Sequence, residues 1–254
     1  MSETNPKIVV CDGFDLASQQ VAKIFANAIK MNPEIVLGLA TGSTPVGTYQ
    51  ALRQMHCEGN LDFSKITTFN LDEYIGLGPK HPQSFRAFMQ EQLFDHVNIE
   101  PQRTHVPSGL ADDPAIEGKS YEAAIVSAGG ISLQLLGIGS NGHIAFNEPG
   151  SPANSRTRVV DLTPNTIDAN SRFFESIEAV PRQAITMGIA TIMEARQIVL
   201  MASGEGKADA VAQAIEGDVD ESMPASRLQQ HGDVTYVLDS QAASKLSRKS
   251  LSAC

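Results

Sequence analysis

Residues 131–150 read ISLQLLGIGSNGHIAFNEPG, a nearly unbroken apolar run followed by a loop rich in glycine and polar side chains. A strand that is apolar on both faces is typical of a parallel sheet covered by helices on both sides. The stretch therefore predicts a buried central strand over 131–138. The loop after it carries Asn141, His143 and Glu148, which makes it a candidate site.

Apolar runs elsewhere in the chain alternate with segments that have helical spacing. We predict strands over 7–11, 34–39, 65–71, 158–162, 197–202 and 234–238, and helices over 14–31, 45–55, 85–97, 207–216 and 241–248, with another helix ending over 121–128. This alternation favours an α/β fold: one Rossmann-like domain over 1–254, with a mostly parallel central sheet and helices on both faces. Sites in such folds lie in loops beyond the carboxyl ends of the strands.

Length and composition indicate a globular protein and argue against nucleic-acid or membrane binding. The 254 residues and 42% hydrophobic content suit one large α/β domain or two small ones. A net charge of −10 repels nucleic acid, and Lys245, Arg248 and Lys249 form too small a basic cluster to overcome it. The sequence has no signal pattern and no apolar run of ~20 residues, so we expect no membrane partner and a cytoplasmic protein. The three cysteines lack Cys-x-x-Cys spacing, which predicts free thiols.

The segment GLATGSTP, residues 38–45, joins a predicted strand to a predicted helix. Gly42 permits a tight turn, Ser43 or Thr44 can cap the helix, and Pro45 suits its first position. Free N–H groups and hydroxyls at a helix N-terminus form a natural anion site. The glycine spacing matches neither a Walker A loop nor a dinucleotide-binding loop. The alternative is an ordinary strand–helix turn.

Two basic residues are candidate partners for such an anion. Lys207 follows SGEG at another predicted helix start, and Arg172 lies within NSRFF. The alternative for Lys207 is a solvent-facing side chain. The alternative for Arg172 is a surface arginine whose stem packs on a neighbouring ring.

The segment FNLDEY, residues 69–74, places two adjacent carboxylates at the end of a predicted strand. Successive strand side chains point to opposite faces, so Asp72 and Glu73 should have different surroundings. A carboxylate in a water-poor cleft is a suitable base for a proton next to a carbonyl. The alternative is a carboxylate that caps a helix or a turn.

His143 is the side chain in the first loop that can accept and donate protons near neutral pH. Glu148 can fix its tautomer or share its proton, and Asn141 can orient it without carrying a proton. One His, one Glu and one Asp spread over separate loops lack the ligand spacing of a zinc site, so we predict no metal. The Gly-x-Ser-x-Gly elbow of a Ser–His–Asp hydrolase is not in the sequence.

Taken together, these motifs resemble those of the glucosamine-6-phosphate deaminase family. The resemblance covers nearly the whole chain. It rests on GLATGSTPVGTYQAL (38–52), TTFNLDEYIGL (67–77), HPQSFRAFM (81–89), LGIGSNGHIAFNEPGS (136–151) and TRVVDLTPNTIDANSRFF (157–174).

The resemblance implies a role for each matching residue. His143, assisted by Glu148 and Asn141, would open the pyranose ring, and Asp72 would remove the C2 proton of the open aldehyde. The C2 imine that follows would be hydrolysed to release ammonia, with no metal or organic cofactor. The implied phosphate-binding residues are Thr41, Gly42, Ser43, Thr44, Arg172 and Lys207.

The sequence departs from the family pattern in two ways. Asn141 stands where some members have Asp, which implies a different pH profile. Val160 stands where regulated hexameric members have a basic residue, Pro152 interrupts the preceding loop, and the chain stops at Cys254. We therefore expect weak or absent activation by an acetylated amino-sugar phosphate. The sequence leaves the oligomeric state open, and a homo-oligomer is one possibility. The segment over about 150–182 is polar and carries Arg172, so we expect it to close as a lid.

Three other functions are to be tested against this one. A 6-phosphogluconolactonase has a related fold, but the Asn-Glu-Pro-Gly segment after the histidine favours the deaminase. The second is a deaminase acting on the galactosamine epimer, whose substrate differs only at one hydroxyl group. No motif in the sequence distinguishes the two sugars. A non-catalytic sugar-phosphate sensor would carry a DNA-binding helix-turn-helix, and six residues before the first strand leave no room for one.

Overall fold

A parallel sheet of seven strands forms the centre of the fold in a computed structural model that describes residues 7–247 and residue 250. Its strands are β1 Lys7–Cys11, β2 Val36–Leu39, β3 Thr67–Asn70, β5 Thr104–His105, β6 Leu133–Leu136, β9 Gln197–Ala202 and β10 Val234–Asp239. Their order is β1-β10-β9-β6-β2-β3-β5, and every neighbouring pair is parallel. All four residues of β2 and of β6 are buried, so both faces of the sheet centre are covered. The predicted α/β class with a mostly parallel sheet is confirmed.

The helices follow from apolar positions three or four residues apart. Val21, Phe25 and Ile29 form such a row in the first helix, and all three are buried. The helices are α1 Phe14–Met31, α2 Val46–Cys57, α3 Phe85–Gln92, α4 Pro114–Ser127, α5 Pro164–Ser171, α6 Ile189–Met193 and α7 Ala208–Glu216. In the described part of the chain, none of them is both long and apolar enough to cross a membrane.

A second, antiparallel sheet of three strands was not predicted. It consists of β4 Asp72–Tyr74, β8 Gln183–Thr186 and β7 Arg158–Asp161, in the order β4-β8-β7. The sequence pattern predicts a strand over 158–162 without indicating that it is antiparallel, and it predicts neither β4 nor β8. Leu71 connects the two sheets, because its N–H bonds to Leu39 O and its own carbonyl accepts from Met187 N. The chain therefore turns out of the parallel sheet directly before Asp72.

The predicted C-terminal helix over 241–248 is wrong for 241–247, which form turns; Arg248 lies outside the described residues. The Asp239 carboxylate accepts from Ala242 N at the end of β10, which favours a turn there. Two further bonds, Ser244 N to Gln241 O and Leu246 N to Ala243 O, span three residues rather than four. The apolar residues that suggested a helix are buried by these turns.

The strand order positions the candidate site. From β2 the chain moves outward through β3 to β5, then returns to the other side of β2 as β6. Loops that leave neighbouring strands in opposite directions open a crevice at their carboxyl ends. The loops after β2 and β6 are the two that carry the predicted anion site and His143.

Candidate active site

A cavity of about 660 Å³ opens where the loops after β2, β3, β6 and β9 meet. All but one of the predicted site residues line it: Thr41, Gly42, Ser43, Thr44, Asp72, Asn141, His143, Arg172 and Lys207. The exception is Glu148, which lies behind His143. Among the residues that the structure describes, no group of three or more His, Cys, Asp and Glu side chains could hold a metal ion.

The turn between β2 and α2 depends on Gly42, whose φ of +86° lies in the region that favours glycine. The prediction that Ser43 or Thr44 caps α2 is wrong. Pro45 is the N-cap residue, with αR backbone angles, and within the described residues no side chain caps this helix. Ser43 and Thr44 line the cavity instead, so their hydroxyls and the N–H groups of the first turn are available to an anion.

The adjacent carboxylates of β4 have different surroundings, as predicted. Asp72 lines the cavity although it is only 6% exposed. Glu73 points away from the cavity and accepts hydrogen bonds from the N–H groups of Tyr74, Phe85 and Arg86 at 2.9, 2.9 and 3.0 Å. Glu73 therefore ties the start of α3 to β4, which is the structural alternative considered for this pair.

The environment of Asp72 disfavours its charged form. Burial is the larger cause and the neighbouring Glu73 carboxylate the smaller, and together they raise the pKa of Asp72 from 3.8 to about 8. Burial also raises the pKa of Glu73, against the hydrogen bonds from Phe85 and Arg86 that lower it. A carboxyl group with a pKa near neutrality is suited to accepting a proton from carbon and returning it.

The loop over 137–150, which we name the histidine loop, holds the His143 ring against its own backbone. A Cβ on Gly139 would lie 2.4 Å from His143 Cε1, so glycine is required for this close packing. Gly142 has a φ of +83°, and the sulfur of Met223 fills the space where its side chain would be. The loop is held from outside because Ala225 N donates to Gly142 O at 2.9 Å.

The Glu148 carboxylate connects to His143 through one of its oxygens. Oε2 lies 3.5 Å from His143 Nδ1, an ionic contact longer than a full hydrogen bond, and accepts from Asn141 Nδ2 at 2.6 Å. Asn141 also accepts from the backbone N–H of His143 at 3.2 Å, so its amide connects the Glu148 side chain to the backbone of the histidine loop. Burial raises the pKa of Glu148, but the close contact with His143, the hydrogen bond from Thr166, the charge of His143 and the hydrogen bond from Asn141 outweigh it and lower the pKa to about 2.

Arg172 and Lys207 bring two cationic side chains to the same cavity as the Gly42 turn. Lys207 is the N-cap residue of α7, and burial together with the nearby Arg172 charge lowers its pKa. Arg172 is the C-cap residue of α5, and its guanidinium lies 4.7 Å from the centre of the Phe173 ring. The ring packing considered as an alternative for Arg172 thus occurs together with exposure to the cavity.

The sequence reading missed an aromatic wall of the cavity formed by Tyr74, Phe85, Phe146 and Phe174. The Tyr74 ring lies 4.8 Å from Phe85 and 5.8 Å from both Phe146 and Phe174, measured between ring centres. These residues come from β4, α3, the histidine loop and the segment after α5. No periodic signal links positions so far apart in the chain.

The reading also missed two threonines that contact Glu148 from α5. Thr166 donates a short hydrogen bond to Glu148 Oε1, and Thr163 Oγ1 lies 3.3 Å from the same oxygen. The Thr163-Pro164 pair is a recognisable helix start, because Thr163 caps α5 and Pro164 takes its first position. That signal predicts the helix but not its contact with Glu148.

Comparison with known proteins agrees with this geometry. The sequence model of a family described as glucosamine-6-phosphate isomerases/6-phosphogluconolactonase matches residues 14–237. The chain belongs to this family. It is 55% identical over 243 residues to a glucosamine-6-phosphate deaminase of Rhodopirellula baltica, covering 96% of this chain and 97% of that protein.

Solved structures of this glucosamine-6-phosphate isomerase/6-phosphogluconolactonase family share the fold. A monomeric glucosamine-6-phosphate deaminase, 48% identical, superposes with a TM-score of 0.92 over 94% of this chain and 99% of its own. A 6-phosphogluconolactonase from Trypanosoma cruzi reaches a TM-score of 0.75 at 22% identity, over 97% of this chain and 98% of its own. The second likeness extends to the fold alone.

Proposed function

We propose that this chain isomerises and deaminates glucosamine 6-phosphate to fructose 6-phosphate and ammonia. The observation that carries the proposal is one cavity lined by Asp72, by His143 with Glu148 behind it, and by the Gly42 turn. The high identity to proteins named glucosamine-6-phosphate deaminase, along nearly the full length, supports the same substrate.

The first step is opening of the pyranose ring. His143 accepts the proton of the anomeric hydroxyl and delivers a proton to the ring oxygen, which breaks the bond between that oxygen and C1. The Glu148 carboxylate, 3.5 Å from His143 Nδ1, stabilises the imidazolium formed in between. Asn141 connects the Glu148 side chain to the His143 backbone, because it donates to Glu148 Oε2 and accepts from the backbone N–H of His143.

In the second step Asp72 removes the C2 proton of the open aldehyde. The C2–H electrons form the C1–C2 double bond of an enolamine, and the carbonyl oxygen takes up a proton. The substrate ammonium favours ionised Asp72, because an opposite charge nearby lowers a carboxyl pKa. Reprotonation at C1 then gives a C2 iminium, and water adds to it to release ammonia. The adjacent carbonyl acidifies the C2 proton, so the proposed chemistry uses no metal or organic cofactor.

The phosphate is placed at the Gly42 turn. Thr41, Ser43 and Thr44 offer hydroxyls and backbone N–H groups there, and Arg172 and Lys207 add two positive charges to the same cavity. These local donors offset the unfavourable net charge of −10.

An ammonia assay with three substrates tests the proposal. The wild-type protein is incubated with glucosamine 6-phosphate, galactosamine 6-phosphate and 6-phosphogluconolactone, and ammonia release and lactone hydrolysis are followed separately. We expect ammonia from the glucosamine compound with the highest kcat/KM. Lactone hydrolysis without ammonia release would show that the protein is a 6-phosphogluconolactonase. A higher kcat/KM for galactosamine 6-phosphate would show that it is the deaminase specific for that epimer. Binding of sugar phosphate with no turnover would favour a sensor.

We propose that the segment over about 150–182 acts as a lid. Within it, Asn165, Thr166, Ala169 and Asn170 on α5, with Arg172, line the cavity. Closure over substrate should protect this segment from trypsin, which cleaves after its four arginines, Arg156, Arg158, Arg172 and Arg182. Equal cleavage rates with and without a substrate analogue would exclude the lid.

We also propose that the chain acts without an allosteric effector. Val160 packs against the apolar cluster around Tyr74 and offers no charge to a phosphate. A 48% identical deaminase is monomeric, which supports a monomer here. Sedimentation and kinetics with and without N-acetylglucosamine 6-phosphate test both points. A several-fold change in substrate affinity would contradict the first, and a defined oligomer the second.

A further inference from the structure

The two oxygens of the Glu148 carboxylate have partners in different parts of the chain. Oε2 contacts Asn141 and His143, which belong to the same loop as Glu148. Oε1 instead accepts a short hydrogen bond from Thr166, and Thr163 lies within reach of it at 3.3 Å. Glu148 therefore joins the histidine loop to the first turn of α5.

The position of Thr166 on that turn is fixed by several contacts. Thr163 caps the helix by accepting from Thr166 N at 3.3 Å, and the hydroxyl oxygens of the two threonines lie 3.1 Å apart. The next residue, Ile167, is buried in the apolar cluster that also contains Phe146 of the histidine loop. Packing and hydrogen bonds thus hold α5 against the loop at the point where Thr166 meets Glu148.

A buried carboxylate with one oxygen held from each side has little freedom to rotate. Thr166 is only 7% exposed and Glu148 9% exposed, so water cannot readily replace the threonine hydroxyl. Loss of that hydroxyl would leave Oε1 with the longer contact to Thr163 alone among the described residues. The other oxygen, which faces His143, would then be held by the hydrogen bond from Asn141 alone, and the carboxylate could turn about that contact.

We propose that Thr166 is a positioning residue for ring opening, which holds Glu148 directed at His143 and makes this pair depend on the placement of α5. The inference rests on the proposed function, since it assigns ring opening to His143. The same eight-residue helix ends at Arg172, its C-cap residue. Helix α5 therefore connects Arg172, the proposed phosphate ligand at its C-terminal end, to Thr166, which contacts Glu148 from its first turn.

Two substitutions at this position and one matched control test the proposal. Thr166→Val removes the hydroxyl and keeps the shape, and Thr166→Ser keeps the hydroxyl. Thr191→Val is the control, because Thr191 is also buried and donates to a carboxylate, that of Glu122, at 2.6 Å outside the cavity. Loss of a hydrogen bond to a charged group corresponds to about a tenfold effect.

We expect Thr166→Val to lower kcat about tenfold, with KM within about twofold of the wild type, as for loss of a contact that acts on the chemical step. Thr166→Ser should recover most of the rate. Thr191→Val should keep wild-type kinetics, whatever its effect on Tm. Affinity for an acyclic analogue, 2-amino-2-deoxyglucitol 6-phosphate, should be unchanged in Thr166→Val, because this compound needs no ring opening.

The proposal is overturned if Thr166→Val keeps wild-type kcat, if Thr166→Ser is no better than Thr166→Val, or if Thr191→Val loses as much activity. NMR of the His143 ring gives a result that does not depend on turnover. Its resonances should move in Thr166→Val and return in Thr166→Ser; unchanged resonances in Thr166→Val would contradict the proposal. A wild-type protein that releases no ammonia refutes the function, whereas an active wild type with an unaffected Thr166→Val variant refutes only the role of Thr166.

Discussion

Replacing Asp72 by asparagine should stabilise the protein and strongly slow its chemistry at the same time. Burial first, and the Glu73 charge second, raise the pKa of Asp72 from 3.8 to about 8. At a pH between 3.8 and about 8, Asp72 keeps a proton in the folded protein and releases it in the unfolded chain. The stability contributed by the protonated form is therefore complete below pH 3.8 and is lost as the pH rises towards 8. The amide introduced by Asp72→Asn cannot ionise, so the variant avoids this loss.

The size of the effect follows from the two pKa values. Each unit of pH between them costs the wild type about 1.4 kcal/mol of unfolding free energy relative to Asp72→Asn. At pH 7, about three units above the ordinary pKa of 3.8, the upper bound of the difference is about 4 kcal/mol. The same substitution removes the base, which lowers kcat by a factor of about 10² to 10⁴.

Urea unfolding of both proteins at pH 5, 6, 7 and 8 measures the difference, and exchange of the C2 proton with solvent measures the chemistry. Asp112→Asn removes a carboxylate at an exposed position and controls for the change in net charge. We expect the advantage of Asp72→Asn to grow with pH and to level off near pH 8. A difference independent of pH would show that Asp72 is ionised throughout, and retained C2 exchange would remove it from the role of base.

Three further substitutions probe the cavity. Arg172→Ala should raise KM about 10- to 100-fold with little change in kcat, because the loss of one charge-assisted contact to phosphate has an effect of this size. An unchanged KM in steady-state kinetics would show that the phosphate binds elsewhere. Gly139→Ala should lower kcat about 100-fold, because the added methyl group would lie 2.4 Å from His143 Cε1 and displace the ring. A wild-type kcat would show that the ring can move without loss of activity. Glu73→Ala should lower the unfolding free energy by about 1–3 kcal/mol in urea titrations, because three backbone N–H groups lose their acceptor; an unchanged midpoint would contradict this role.

The parts of the site that could be predicted are those encoded within short stretches of sequence. Gly42 between a strand and a helix predicts a turn that can bind an anion, and the structure places that turn at the cavity. The glycines around His143 likewise predict a loop with close backbone contacts. In both cases the conformation depends on neighbouring residues, which is why the local pattern was sufficient.

The parts that could not be predicted depend on pairing across long distances in the chain. Strand β4 has only three residues, and it is held by β8 more than a hundred positions later. So short a strand has no detectable periodicity. The sequence predicts different surroundings for Asp72 and Glu73 but not, by residue pattern alone, which of them faces the cavity, because the segment that Glu73 caps, the start of α3, begins twelve residues further on at Phe85. The aromatic wall and the Thr166 contact were missed for the same reason.

The two carboxylates of the site show why function required coordinates and not only motifs. Burial raises the pKa of both Asp72 and Glu148. Glu148 is surrounded by polar partners, and the close contact with His143 together with hydrogen bonds from Thr166 and Asn141 brings its pKa down to about 2. Asp72 has the charge of Glu73 beside it, and no hydrogen bond from a described residue offsets its burial, so its pKa rises to about 8. One chemical group thus becomes a permanent anion that supports His143, and the other becomes an exchangeable proton acceptor, because their neighbours differ.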